Sequence, residues 1–279
     1  MTLTMDAMLP DWLISRIEFI KDEIVEDPVV DNWFLVQSWI PVTSIVVAYL
    51  VFVKIIGPRM MENRKPYNIK HIILVYNLIQ TVYNAYMVSF IFRPGAMHSV
   101  MNNLCDRVLK GPDAPYWMTF CTCTYLYYIS KLIDLLDTIF FVLRKKQSQV
   151  TFLHVYHHSM MVFTTWVFLR YFKGEQATLV GLLNSTVHVV MYSYYFLAAL
   201  GPGVQKYLWW KKYITKFQLL QFVLFGVHAI CLLIFRCKMP IVITYYIFLQ
   251  ATVMCVLFGN FYYHTYINKN PKKSAKALN

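Results

Sequence analysis

The chain has 279 residues, of which 58% are apolar and only 14% charged, with a formal net charge of +12. A soluble domain of this length carries roughly a quarter charged residues, so the composition excludes a water-soluble globular protein. Strand-period alternation is absent, which excludes a membrane barrel as well. The expected class is all-α, a polytopic membrane protein.

In chain order, residues 1–37 form an acidic, amphipathic segment (Asp6, Asp11, Glu18, Asp22, Glu23, Glu26). It lacks the basic start and apolar core of a cleavable signal peptide, so the first span is expected to insert as an anchor. Apolar runs follow at about 38–56, 70–92, 117–142, 152–171, 177–198, 214–235 and 240–263. Each can cross ~30 Å of hydrocarbon as a helix. The expected organisation is an N-terminal segment (1–37), a seven-helix transmembrane domain (38–264) and a basic tail (265–279). Gly57-Pro58, Pro94-Gly95, Pro112, Gly201-Pro202-Gly203 and Pro240 punctuate the connections. The links after the third and fifth runs are short, which makes helices three and four antiparallel neighbours, and five and six likewise.

Charge sets the orientation. Fifteen lysines and arginines, from Arg59 to Lys276, fall in the odd-numbered connections and the tail, and seven, from Arg93 to Lys238, in the even-numbered ones. The positive-inside bias places the odd connections and C-terminus in the cytosol and the N-terminus in a lumen. The basic loops serve topology and anionic lipid, or additionally a polyanionic substrate. Cys105 and Cys237 both fall on the lumenal side, where an oxidising compartment would join them. Cys121, Cys123, Cys231 and Cys255 lie in spans and read as small apolar residues.

Ionisable residues inside spans mark function by default, and three groups stand out. In "SKLIDLLDTIFFVLRKK" (130–146), Lys131, Asp134 and Asp137 recur every third residue beside Thr138. They form either an ion pair that orients the helix or part of a site. In "FLHVYHHSMM" (152–161), His154, His157 and His158 share a face just inside the cytosolic end of the fourth helix. Because helices three and four form a hairpin, Asp137 is expected at similar depth, orienting the imidazoles. In "NSTVHVVMYSYY" (184–195), Asn184, His188, Tyr192 and Tyr195 share one face, and the two tyrosines serve packing or chemistry. Thr215, Gln218 and Gln221 add a stripe on helix six. Together these stripes describe a polar chamber opening to a basic cytosolic surface, with apolar walls deeper in. A ligand with a long anionic head and a greasy tail fits that shape, as an acyl-coenzyme A does.

The HxxHH spacing also occurs in membrane di-iron desaturases and hydroxylases, which need several histidine clusters converging on two metals. Here His71, His98, His188, His228 and His264 are singletons and only one cluster exists. A neutral imidazole can instead attack an activated acyl carbon, and the acyl-imidazole is then displaced by a carbanion. A transporter or receptor is a third class, but polar stripes concentrated near one side suit a pocket better than a through-path.

The segments "KLIDLLDT", "HVYHH", "HVVMYSYY" and "TKFQLLQ" resemble, in order, the four signature boxes of the ELO family, the very-long-chain fatty acid elongases or 3-ketoacyl-CoA synthases. The resemblance covers residues 30 to 265 and is nearest to the animal branch acting on saturated and monounsaturated chains. It implies condensation of a long-chain acyl-CoA with malonyl-CoA, giving a 3-ketoacyl-CoA two carbons longer and releasing CO2 and CoA. It implies an endoplasmic reticulum protein in which six helices form two inverted three-helix units around an acyl tunnel, with one peripheral helix. No metal or other cofactor is implied. The partners implied are the two thioesters, the bilayer, and further copies of the chain or other enzymes of the cycle, but no nucleic acid. By resemblance His157 is the acyl-accepting nucleophile and His188 the second catalytic histidine, and His154 matches a position lining the thioester region; the spacing adds His158 and Asp137 in support. Lys131, Arg144, Lys146, Gln149, Asn184, Lys211, Thr215 and Gln218 match positions lining the head-group and thioester region. Two departures stand: Asp134 replaces the family's usual Glu, and the tail lysines do not form a dilysine retrieval signal.

Overall fold

A computed structural model describes Pro10, Ser15, Glu18, Phe19, Lys21 and residues 24–93, 95–97, 105, 116–173, 178–237 and 241–268. The N-terminal acids Asp6, Asp11, Asp22 and Glu23 lie outside these described residues, as do Pro94, His98, Arg107, Lys110, Pro112, Lys238, Pro240 and the tail beyond residue 268. Seven long helices account for most of the described chain. They are α1 (Trp39–Val51), α2 (Lys70–Ser89), α3 (Trp117–Leu143), α4 (Phe152–Val167), α5 (Thr178–Leu200), α6 (Lys211–Ile234) and α7 (Ile241–Tyr262). Three meet the length and hydropathy of a membrane span outright: Trp39–Met61, Lys211–Ile234 and Ile241–Ile267.

The expected break at Gly57-Pro58 is not a loop. Helix α1 continues through a π turn (Phe52–Ile56) into Gly57–Met61. The widened turn absorbs the hydrogen bond that Pro58 cannot donate. Gly57 is required by packing: a Cβ there would lie 2.6 Å from Val142 Cγ1 of α3. Gly201, at φ 123°, does break the chain as expected, and Pro202 opens the short helical turn Pro202–Gln205.

Helices α2 to α7 close a ring in the order α2, α3, α4, α7, α6, α5. The predicted pairs α3–α4 and α5–α6 are both present, and a third contact, α2 along α5, is among the most extensive. The α4–α7 seam is sealed by the Tyr156 hydroxyl donating to Gln250 Oε1 (3.1 Å). Helix α1 lies outside the ring against α3 and α4, in a core that includes Tyr49, Val53, Tyr128, Val142 and Val162. The Cys105–Cys237 disulfide is present and ties the α2–α3 connection to the α6–α7 connection.

At that same end the N-terminal segment is clasped to the bundle. The Lys173 side chain is fully buried, 2.7 Å from Asp31 Oδ1, and donates to the carbonyls of Val25 (2.6 Å) and Arg170 (2.8 Å). These contacts hold a lysine whose φ of 41° lies in the left-handed region. Arg170 Nη1 meets Asp31 Oδ2 at 2.6 Å, and Trp117 Nε1 donates to Asp27 Oδ2 at 2.6 Å. Burial alone would push the Asp31 carboxyl up, but Arg170, Lys173 and the Asp27 amide outweigh it and hold it below the usual carboxylate value. A depressed folded-state pKa gives stability that is present at neutral pH and lost as pH falls through that pKa. Asp31→Asn leaves Lys173 buried without its counter-charge and is expected to cost about 3 kcal/mol at pH 7. Thermal unfolding in detergent between pH 7 and 3 checks this: the wild type should lose on acidification what the variant already lacks.

Candidate active site

Two helices deliver the centre of the cluster because each repeats polar side chains at helical spacing. On α3, Tyr127, Lys131 and Asp134 stand at i, i+4 and i+7; on α5, Asn184, His188 and Tyr192 stand four apart. Lys131 and Asp134 are 2% and 1% exposed, so their charges are neutralised inside the bundle. Lys131 Nζ donates to Asp134 Oδ2 (2.9 Å) and Asn184 Oδ1 (3.0 Å), and lies 3.4 Å from His188 Nδ1. It also sits 4.8 Å above the Tyr127 ring, whose hydroxyl donates to Asn184 Oδ1 (2.8 Å). Facing an ammonium, His188 Nδ1 is the acceptor, so the neutral ring carries its proton on Nε2.

The carboxylate that approaches an imidazole is Asp134, whose Oδ2 is 3.7 Å from His188 Nδ1. The expectation that Asp137 orients the α4 histidines is therefore corrected. Each step of three residues lags a full turn by about 60°, so Asp137 stands about 120° round α3 from Lys131. Its Oδ2 instead accepts from the Tyr192 hydroxyl (2.7 Å), which is also 3.0 Å from Asp134 Oδ1. Tyr195 is exposed and meets Tyr192 and Tyr194 edge-on, which is packing.

The histidine box opens α4, whose N-terminus is capped by Thr151 Oγ1 accepting from the His154 amide (3.2 Å). His154 Nε2 lies 2.9 Å from Thr138 Oγ1, itself 2.8 Å from the Tyr49 hydroxyl of α1. The His154 and His158 rings are 4.3 Å apart, and those of His157 and His158 5.7 Å. His157 turns toward Phe258 of α7, and its Nδ1 is buried without a hydrogen-bond partner. Among the described residues no three His, Cys, Asp or Glu side chains are grouped so that they could hold a metal ion.

The remaining predicted residues divide by depth. Thr215 is buried, and Gln218 Nε2 reaches Met191 Sδ at 3.6 Å. Arg144, Lys146, Gln149 and Lys211 are exposed at the end of the bundle opposite the disulfide, around the mouth nearest the histidine box. Sequence reasoning missed the contribution of α2. Gln80, 1% exposed, donates through Nε2 to Asp134 Oδ1, and Asn77 and Asn84 complete a buried i, i+3, i+7 stripe with it. That spacing inside an apolar run was the available signal. Toward the disulfide end, a cavity of about 40 Å³ lies between α2, α3 and α5. Met87, Phe120, Tyr127, Thr178, Gly181 and Ser185 are on its wall.

Residues 34–274 match the ELO family, described as the GNS1/SUR4 family. The chain is 42% identical over 250 residues to very long chain fatty acid elongase 7 of Rattus norvegicus, covering 89% of this chain and 87% of that one. It is 39% identical over 251 residues to a very long chain fatty acid elongase of Aedes aegypti (90% and 70%). Against very long chain fatty acid elongase 4 of Homo sapiens the identity is 38% over 256 residues (91% and 81%).

Proposed function

This chain belongs to the ELO family, and from that premise we propose that it is the condensing enzyme of very long chain fatty acid elongation. It joins a long-chain acyl-CoA to malonyl-CoA and releases a 3-ketoacyl-CoA, CO2 and CoA. The observation that carries the reading is that the first box, on α3, bonds to both of the histidine-bearing boxes: Lys131 and Asp134 meet His188 and Tyr192 of the third in a buried polar network, and Thr138 meets His154 of the second. The mechanism is ping-pong. The His157 imidazole attacks the thioester carbon; an N–C bond forms, the C–S bond breaks, and CoA leaves as its thiol with the proton that the imidazole gives up. Malonyl-CoA then loses CO2, and the resulting carbanion attacks the acyl carbon, breaking the N–C bond and freeing His157, which takes up one proton from solvent to return to the neutral ring. His188 Nε2–H is suited to bond the thioester oxygen on which charge develops during decarboxylation. His154 and His158 flank the nucleophile, and Asp137 acts on the chamber through Tyr192. No metal or redox cofactor enters these steps, and family membership lends no support to a histidine-box iron oxygenase.

Arg144, Lys146 and Lys211 are exposed cations suited to the CoA phosphates, with Gln149, Asn184, Thr215 and Gln218 along the path to the thioester. All seven helices cross the membrane of the endoplasmic reticulum, with the disulfide and residues 1–37 lumenal and the tail from residue 265 cytosolic. Within the 38–264 catalytic domain, α2–α4 and α5–α7 are the two inverted units, and the chain works with further copies of itself or other elongation enzymes. Incubating purified protein with an acyl-CoA series and labelled malonyl-CoA tests the reaction. Labelled 3-ketoacyl-CoA and acyl mass on the peptide bearing His157 are expected, and failure to form either overturns the reading.

The cavity at the lumenal end receives the distal acyl tail. A glycine inside a helix costs roughly 1 kcal/mol against alanine, yet a Cβ on Gly181 would meet nothing within 4 Å. Thr178, Gly181 and Ser185 stand on one face of α5, so a side chain at 181 would enter the cavity. Gly181→Leu is expected to lower kcat/KM for the longest accepted acyl-CoA roughly tenfold or more while sparing shorter ones. Product profiles across the acyl-CoA series check it.

A further inference from the structure

We infer that Gln80 is a positioning residue for His188, acting through the carboxylate of Asp134. Asp134 divides its two oxygens between two tasks. Oδ2 takes the Lys131 ammonium (2.9 Å) and faces His188 Nδ1 (3.7 Å). Oδ1 is held from the opposite side, by Tyr192 of α5 (3.0 Å) and Gln80 Nε2 of α2. A carboxylate this deeply buried rotates unless both oxygens are tethered, and rotation would carry Oδ2 off Lys131 and His188.

Gln80 is built in for that task. Asn84 Nδ2 donates to the Gln80 carbonyl (2.8 Å), and the Tyr76 hydroxyl lies 3.3 Å from Gln80 Nε2. The Gln80 Oε1 atom has no partner among the described residues, so the amide is oriented by what its nitrogen holds. Position 134 carries an aspartate, the shorter of the two acidic side chains, and position 80 a glutamine, the longer of the two amides. The reach from α2 to α3 is made by a longer amide meeting a shorter carboxylate.

The inference rests on the two-stage reaction above and concerns only its second stage. Gln80→Asn keeps the amide but withdraws it by one methylene. It is expected to slow kcat roughly a hundredfold, the cost of a misplacement of about 1 Å, with kcat/KM for acyl-CoA unchanged, so that KM for acyl-CoA falls in step with kcat. Acyl mass should persist on the His157 peptide after malonyl-CoA is added, which loss of packing alone would not produce. Asp134→Glu should also be slow, because a methylene is forced into a filled site, and Gln80→Asn/Asp134→Glu should recover most of the rate by restoring the combined length. Gel filtration accompanies each variant. The inference is overturned if Gln80→Asn discharges its acyl group at the wild-type rate. It is also overturned if Asp134→Glu equals the double variant, a comparison that stands even where Gln80→Asn does not fold. A wild type that forms neither adduct nor product would instead overturn the proposed reaction itself.

Discussion

Replacing His157 with alanine is expected to abolish condensation, by roughly 10⁴- to 10⁶-fold, the range seen when a covalent nucleophile is removed. Neither acyl mass on the residue 152–161 peptide nor product should form, whereas His188→Ala should still load the acyl group and then stall. The difference follows from placement. His157 lies on the α4 side of the ring facing Phe258, and its Nδ1 is buried with nothing to bond. His188 sits against Lys131 and Asp134 on the α3–α5 side. His154 is tied to Thr138 and Tyr49, so His154→Ala should cost less than His157→Ala because it removes an orienting contact and leaves the attacking atom. Quantifying adduct and product in the same samples separates the three variants. A His157→Ala protein with wild-type turnover would remove imidazole as the acyl carrier.

The helices were legible because hydrocarbon imposes a long apolar run on every helix that crosses it, and the α3 boundary falls within one residue of its predicted end. The disulfide was legible because charge bias alone put Cys105 and Cys237 on one side. The run-on through Gly57-Pro58 was not, since local sequence says nothing of the α3 surface that Gly57 must approach. Asp137 was placed by its depth in the α3–α4 hairpin, but depth does not fix direction: a three-residue spacing drifts round the helix, and its carboxylate meets Tyr192 of α5. The Tyr49–Thr138–His154 chain was beyond reach, because Tyr49 is a lone tyrosine in an apolar run and its role depends on α1 docking beside α4. Gln80 lay between these cases, visible as a polar stripe on α2 but meaningless until α2 was seen to pack beside α3 and α5.

The Lys131–Asp134 pair decides whether that network only holds helices together or also performs chemistry. Removing one partner strands the other charge in a bundle where both are at most 2% exposed. Asp134→Leu alone is therefore expected to cost about 3 to 5 kcal/mol and to reduce the yield of folded protein sharply, and Lys131→Met to behave similarly. Replacing both with apolar residues of similar volume removes both desolvation penalties, and such exchanges are often neutral or stabilising. Lys131→Met/Asp134→Leu should thus melt closer to the wild type than either single variant, although Asn184 and Gln80 lose a partner each. Condensation should not return with the fold. Without the pair, His188 Nδ1 has no ammonium beside it to fix the tautomer, and the second stage has no oriented Nε2–H. Melting temperature and turnover measured on the same four proteins give the answer. Recovery of both together would make the pair a structural tie between α3 and α5, whereas recovery of stability alone assigns it to the reaction.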